Sequence, residues 1–356
     1  MFKRIDLYIG RTLIVTTILT LLSLVSLSAV IKFIDQMGDV GDGTYGIWDA
    51  LLYVLFSVPQ DIEVFFPMAV LLGSLLGLGM LASNSELTVM QAAGVSKMQI
   101  GFSVLKTALP LMIIVMILGQ WGAPYTKRYA REMKAVATSG GHIMAMQHGV
   151  WAKDNDSYIY FGRIESNGTI KNVNIWTFNA EHKLMNYTSA QSAKYLKDKI
   201  WELGKVQKTV FTQELITKEK LPSIPWKTNL TPSKLSVVTV KPAELSLTGV
   251  HDYVNYLHET NQDASRYELA FWRKVFQPLI IAVMMLLALS TVFGPLRSVS
   301  TGARVLSGII LGFGFYTVDQ VLGPMSLVYN FPAIIGAIGP SLLFFCLALY
   351  MLKRKL

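Results

Sequence analysis

TLIVTTILTLLSLVSLSAVI, residues 12–31, runs for 20 residues without a charge and ends at Lys32. That is the length at which an apolar helix crosses a hydrocarbon core. Three further runs, 64–85, 107–126 and 275–296, are uncharged over 20 to 22 residues and read the same way. The last such stretch, 320–352, is too long for one crossing and holds Gly323, Pro324, Asn330 and Pro332. These residues place a turn, so the reading is a fifth helix over about 305–325, carrying Asp319, and a sixth over about 331–352. Six spans follow, three on each side of one large soluble segment. The composition agrees: 52% hydrophobic and 15% charged residues with a mean hydropathy of +0.42 are far from a soluble average. The first run is too long for a secretory signal core and lacks a small-residue cleavage site, so it is expected to stay as an anchor. The single Cys346 lies in the sixth span and has no disulfide partner.

Short loops rich in Lys and Arg stay cytoplasmic. Lys3, Arg4 and Arg11 precede span one, Lys97 and Lys106 stand between spans two and three, Arg297 and Arg304 between four and five, and Lys353, Arg354 and Lys355 end the chain. All four segments fall on one side. The opposite loop, 35–49, has four Asp and no basic residue. Both termini are therefore expected in the cytoplasm and residues 127–274 outside it.

That outer segment holds 21 basic and 14 acidic residues, so +7 of the chain's +9 formal charge lies there. Lys127, Arg128, Arg131 and Lys134 follow span three at helical spacing, Arg273 and Lys274 precede span four, and Lys32 ends the first apolar run. Singly, each fits a snorkelling side chain at a helix end. As a group at one depth they suit the phosphates of an anionic amphiphile. Lys32 is the sharpest candidate, since an ionisable residue on a long apolar helix usually faces a cavity or a partner; Asp35, one turn on, is a possible neutralising partner.

Between 149 and 211, short alternating stretches at 157–162, 170–178, 184–195 and 199–211 read as strands, with turns at Asn167-Gly168 and Asn179-Ala180. An all-β sandwich or open roll is expected. Pro222, Pro225, Pro232 and Pro242 mark 221–242 as an extended return to the membrane, followed by helical patterns at 245–259 and 264–276. His142, His148, His182, His251 and His258 form no close-spaced ligand motif, so no metal is expected. Neither a G-x-S-x-G elbow nor a G-x-x-x-x-G-K-[ST] loop occurs, so catalysis and ATP binding in this chain are unsupported. Energy has to come from elsewhere. Ser83 and Glu86 have capping-box spacing, Leu87, Met90 and Gln91 follow at helical spacing and Gly94 is a stop, which specifies a short cytoplasmic helix over about 84–93 able to dock on a partner. Gly73/Gly77 and Gly308/Gly312 permit close helix approach.

The chain resembles the LptF/LptG family of lipopolysaccharide-export permeases over essentially its whole length. The resemblance is carried by IKFIDQ (31–36), the block 57–94, GVWAKD (149–154), WKTNLTP (226–232), 271–279, 288–305 and YTVDQ (316–320). It implies a mixed membrane fold with a periplasmic β-jellyroll inserted between spans three and four, hence units of 1–126, 127–270 and 271–356. It implies residence in the bacterial inner membrane, an LptF-type permease as paired subunit, two copies of the ATPase LptB, and handover of lipopolysaccharide to LptC and the LptA bridge. ATP would be used by LptB, with no cofactor and no nucleic acid bound by this chain. Lys32, Lys127, Arg128, Arg131 and Lys134 would contact lipopolysaccharide among the membrane lipids; Glu86, Leu87 and Met90 would couple to the ATPase; helices one and five would line a lateral gate. Basic residues that relatives can carry after the Lys32 motif and before Asp61 are replaced here by Gly38-Asp39 and Gln60. Two other classes stay open at this point. Asp319, Asp61 and Glu63 could serve an ion-coupled transporter, and the soluble segment could belong to an enzyme acting on envelope glycolipids.

Overall fold

The computed structural model describes residues 4–138, 150–154, 156–164, 169–179, 181, 183–196, 200–212, 215–228, 230, 242–260, 262–293 and 300–353. Lys3, Gly149, Pro232, Arg297, Arg354, Lys355, the Asn167-Gly168 turn, and His142, His148 and His182 lie outside them.

Six helices are long and apolar enough to cross a membrane: Arg4–Met37, Ile47–Ser83, Lys97–Thr138, Ser265–Phe293, Gly302–Val328 and Ala333–Lys353. In chain order the helices are α1 (Arg4–Met37), α2 (Ile47–Ser83), α3 (Glu86–Ala92), α4 (Lys97–Ile117), α5 (Ala123–Thr138), α6 (Leu247–Glu259), α7 (Ser265–Phe293), α8 (Thr301–Val328) and α9 (Ala333–Lys353). A π-helical turn, Leu118–Gly122, makes α4 and α5 one continuous rod. The fifth span keeps Pro324 inside it, and the turn before α9 falls instead at Asn330, in the left-handed region at φ 55°.

Buried side chains such as Leu71, Leu75 and Leu78 place α2 at the centre of the bundle core. Two glycine pairs let neighbours close on it from different sides. A Cβ on Gly73 would come within 2.4 Å of Thr17 Cα, so α1 lies backbone to backbone against α2. Thr16 and Thr20 use that approach to donate to the carbonyls of Gly73 (2.7 Å) and Ala69 (3.0 Å). On α8, a Cβ on Gly308 would meet Leu72 and Leu75 of α2 at 2.7 Å. Small residues at helix contacts do here what they do between membrane helices generally.

The soluble segment forms one antiparallel sheet in chain order, β1 (Val150–Asp154), β2 (Ser157–Ile164), β3 (Ile170–Phe178), β4 (Leu184–Tyr195), β5 (Ile200–Phe211) and β6 (Ile216–Lys227). The all-β expectation holds, and among the described residues the strands make a single sheet. One part differs: Pro222 and Pro225 stand inside β6, not in an extended return. Among the described residues β6 is an edge strand, where proline is tolerated, and Lys205, across from Pro222, leaves the extended conformation at φ 52°. One face of the sheet buries Ile159, Phe161, Val173, Ile175, Trp201 and Leu203 beneath Tyr253, Tyr256 and Leu257 of α6. The Tyr256 hydroxyl fixes α6 to β1 by donating to the Lys153 carbonyl at 2.9 Å.

Candidate functional site

Lys127, Arg131 and Lys134 recur at i, i+4 and i+7 on α5, so they share a face. That face turns inward toward α1 and α2, at the end of the bundle from which the chain leaves for the sheet. Lys127 is buried and donates to the Tyr53 hydroxyl and Ser57 Oγ, both at 3.2 Å, with its ammonium 4.7 Å from the Tyr53 ring centre. Lys134 donates to Gln36 Oε1 (2.8 Å) and Asp39 Oδ2 (2.6 Å) and also lies over the Tyr53 ring at 5.4 Å. Arg131 pairs with Glu244 in the segment returning from the sheet. Lys32 pairs with Asp61 of α2, whose other oxygen accepts from Ser28 at 3.3 Å. Asp61, and not Asp35, is thus the neutralising partner, because α1 runs straight through Lys32 and places it against α2.

Four of the five expected anion-binding residues therefore form one cluster. Arg128 is the exception. It points outward, exposed, and pairs with Glu132 one turn on at 2.7 Å. Tyr53 at the centre of the cluster escaped the sequence reading; an aromatic one turn before Ser57 in an apolar helix carries no signal of its own. Beside it, burial and then the Asp39 charge push the Tyr45 phenol up to about 12, so it stays a neutral donor, to Gln36 Oε1 at 3.1 Å.

Like Asp61, two further acidic residues within the spans are each met by a cation. Glu63 of α2 accepts from Lys274 at 2.6 Å and Asp319 of α8 pairs with Arg273 at 2.9 Å. Glycines make room for both: a Cβ on Gly119 would stand 2.8 Å from Glu63, and one on Gly323 2.4 Å from Arg273. Among the described residues, no group of His, Cys, Asp and Glu is placed to hold a metal.

A family model described as lipopolysaccharide export system permease LptF/LptG matches residues 7–354. The chain belongs to this family. It is 48% identical over 357 residues to the lipopolysaccharide export system permease protein LptG of Haemophilus influenzae, covering 100% of this chain and 99% of that protein. It is also 48% identical over 356 residues to LptG of Escherichia coli K12, covering 99% of each. LptF of the same strain is 28% identical over 131 residues, 36% of each chain. Within the LptF/LptG family the resemblance is thus stronger to the LptG side, and a permease name agrees with six helices long and apolar enough to cross a membrane.

In this LptF/LptG-family chain the short helix α3 occurs where expected, but its start differs. Ser83 is still helical in α2, so its hydroxyl turns back to the Met80 carbonyl (2.9 Å) and cannot cap. Ser85 takes a left-handed conformation at φ 62° and makes no side-chain cap, while the capping box forms one helix later, between Ser96 and Gln99. Leu87 is buried in the bundle core and Met90 packs against it, so these two seat α3 on the bundle. Thr88, Val89 and Ala92 are exposed, and the large apolar one among them is Val89, 66% exposed. Glu86 accepts from the Tyr8 hydroxyl at 2.7 Å, tying α3 to the first turns of α1. A cavity of about 90 Å³ lies beneath α3, between Leu87, Lys97 and Phe293.

Proposed function

We propose that this chain is a permease subunit of a lipopolysaccharide exporter, working beside an LptF-type subunit in the bacterial inner membrane. The amphiphile's phosphates are taken at the cluster of Lys32, Lys127, Arg131 and Lys134, and the molecule then passes by way of LptC toward the LptA bridge. The observation that carries this reading is Lys127. It is a buried cation whose partners are the two neutral hydroxyls of Tyr53 and Ser57, with no carboxylate on it among the described residues. A buried ammonium so held has capacity for an anion, and exchanging a hydroxyl for a phosphate oxygen gives a stronger, charge-assisted bond. The acceptors on Lys32 and Lys134 hold those side chains in place until a phosphate displaces them.

Energy enters through a partner ATPase of the LptB type, seated on α3 by Val89 and Glu86, with both termini on that cytoplasmic side. Family membership favours a permease over an enzyme. The ion-coupled alternative loses its motive, since Asp61, Glu63 and Asp319 each have a cation beside them. Purification from the native membrane tests the reading: recovery with a paired permease, a small ATPase and bound lipopolysaccharide is expected. A chain that comes out alone, empty and stable would overturn it.

A further inference from the structure

The face of the sheet turned away from α6 has an unusual composition. Because side chains alternate along every strand, the register defines which residues share that face. One cross-strand row reads Lys153, Tyr158, Trp176, Tyr187, Thr209 and Lys218. The next reads Trp151, Tyr160, Asn174, Ser189, Gln207 and Lys220. The two rows hold aromatic rings on β1 to β4, then hydroxyls and amides, then two exposed lysines on the edge strand β6. Neither row holds a carboxylate or an aliphatic side chain; Glu219 falls on the other face, opposite Lys208.

The rings form a continuous platform. Trp151 and Trp176 stack at 5.0 Å with 28° between planes, Trp151 meets Tyr160 at 5.3 Å and Trp176 meets Tyr187 at 5.4 Å. Trp151 remains 57% exposed and Tyr158 46% exposed. Exposed, contiguous aromatic surface of this kind marks an interaction site. An acyl chain would be poorly matched by flanking Asn, Ser, Gln and Thr. A sugar ring is matched by both halves: its axial C–H groups lie on the negative faces of the rings, and its hydroxyls reach the amides and hydroxyls beside them. Lysines without a neighbouring acid in these rows add complementarity to an anionic substituent.

We propose that this face binds the anionic saccharide part of the transported glycolipid, with phosphorylated or carboxylated pyranose rings lying across Trp151 and Trp176 and their charges at Lys218 and Lys220. The proposal rests on the export reading above, which supplies a glycolipid as ligand. It places the sugar on a surface separate from the basic cluster in the bundle.

The full chain in lipid nanodiscs is titrated with a deacylated, phosphorylated core oligosaccharide, with the same oligosaccharide after dephosphorylation, and with neutral maltoheptaose. The phosphorylated probe is expected to bind best, with affinity falling as salt rises. Trp176→Ala and Trp151→Ala should each weaken it about tenfold, while Trp176→Phe keeps most of the binding. The pair Lys218→Gln and Lys220→Gln, at exposed positions that do not threaten folding, should remove the preference for the phosphorylated probe. Lys183→Gln, exposed and outside both rows, should leave oligosaccharide binding unchanged. Oligosaccharide binding that is lost in Lys32→Ala and intact in all the sheet variants would overturn the proposal and leave the export reading standing, as would retention of intact lipopolysaccharide with no affinity for the oligosaccharide. Protection of Trp151 from solvent labelling by a bound partner protein, in place of sugar, would equally overturn it. Failure of the export reading is seen separately, as no retention of intact lipopolysaccharide at all.

Discussion

Lys274 of α7 donates to Glu63 of α2 at 2.6 Å, with both side chains close to nine-tenths buried and 211 positions apart in the chain. The pair fastens the first half of the bundle to the second. Removing one partner leaves the other charge buried and alone, which typically costs about 3–5 kcal/mol. Glu63→Ala and Lys274→Ala should each lower the unfolding midpoint in mild detergent sharply. The joint replacement Glu63→Leu with Lys274→Met should be much less damaging than either single change, because no lone charge remains. Additive losses in the double variant would refute the pairing.

Close approach of α1 to α2 depends on Gly73. A Cβ there meets the Thr17 backbone at 2.4–2.6 Å, and backbone cannot move aside as a side-chain tip can. Gly73→Ala should destabilise the bundle by about 1–3 kcal/mol and weaken the Thr16 and Thr20 bonds to α2. Gly302 has nothing within 4 Å of its Cβ position and serves as the control, with Gly302→Ala neutral or slightly stabilising. Thermal unfolding of both variants in one detergent checks this; equal losses would count against the contact.

In the basic cluster, the inward and outward faces of α5 should separate cleanly. Lys127→Gln should reduce photo-crosslinking of lipopolysaccharide in the bundle by about tenfold, the effect of losing one charge-assisted bond. Arg128→Gln, one residue away but paired outward with Glu132, should leave crosslinking near wild type. If both fell alike, bulk positive charge and not the Tyr53-centred geometry would account for binding.

Alkaline pH should loosen the packing of α6 on the sheet. Burial pushes the Tyr256 phenol up to about 12, and that of Tyr253 higher still, from an ordinary value of 10.0. A phenol raised in the folded state contributes stability that is complete below pH 10 and lost as pH climbs through 12. Phenolate absorbance and circular dichroism followed together should therefore move in step between those limits. Tyr256→Phe should flatten part of the decline while costing about 1 kcal/mol at neutral pH through the lost bond to Lys153. Free ionisation near pH 10 with no change in fold would contradict the buried placement.

Much of this was legible in the chain itself because the signals are local. An uncharged run such as 12–31 announces a span, alternation over 170–178 and 184–195 announces strands, and Gly73/Gly77 and Gly308/Gly312 announce close helix contacts; all of these appear in the structure. The cap of α3 differs from its expected place because spacing alone does not show that Ser83 is still helical. Pro222 and Pro225 fall in a strand and not in a connection because whether proline is tolerated depends on lying at the sheet edge, a property of strand order.

Sequence by itself therefore determined the six crossings, the all-β insertion and the group of cations on α5, since hydrophobic run length and periodicity act over a few residues. Only the tertiary structure decided which cation meets which anion and which face each presents. Lys32 finds Asp61 and not the nearer Asp35, Lys127 finds Tyr53 and Ser57, and Arg128 turns away from all of them. The physical reason is that charge and hydrogen-bond partners are chosen by distance in space, and helix packing across the bundle brings together residues that lie dozens to hundreds of positions apart.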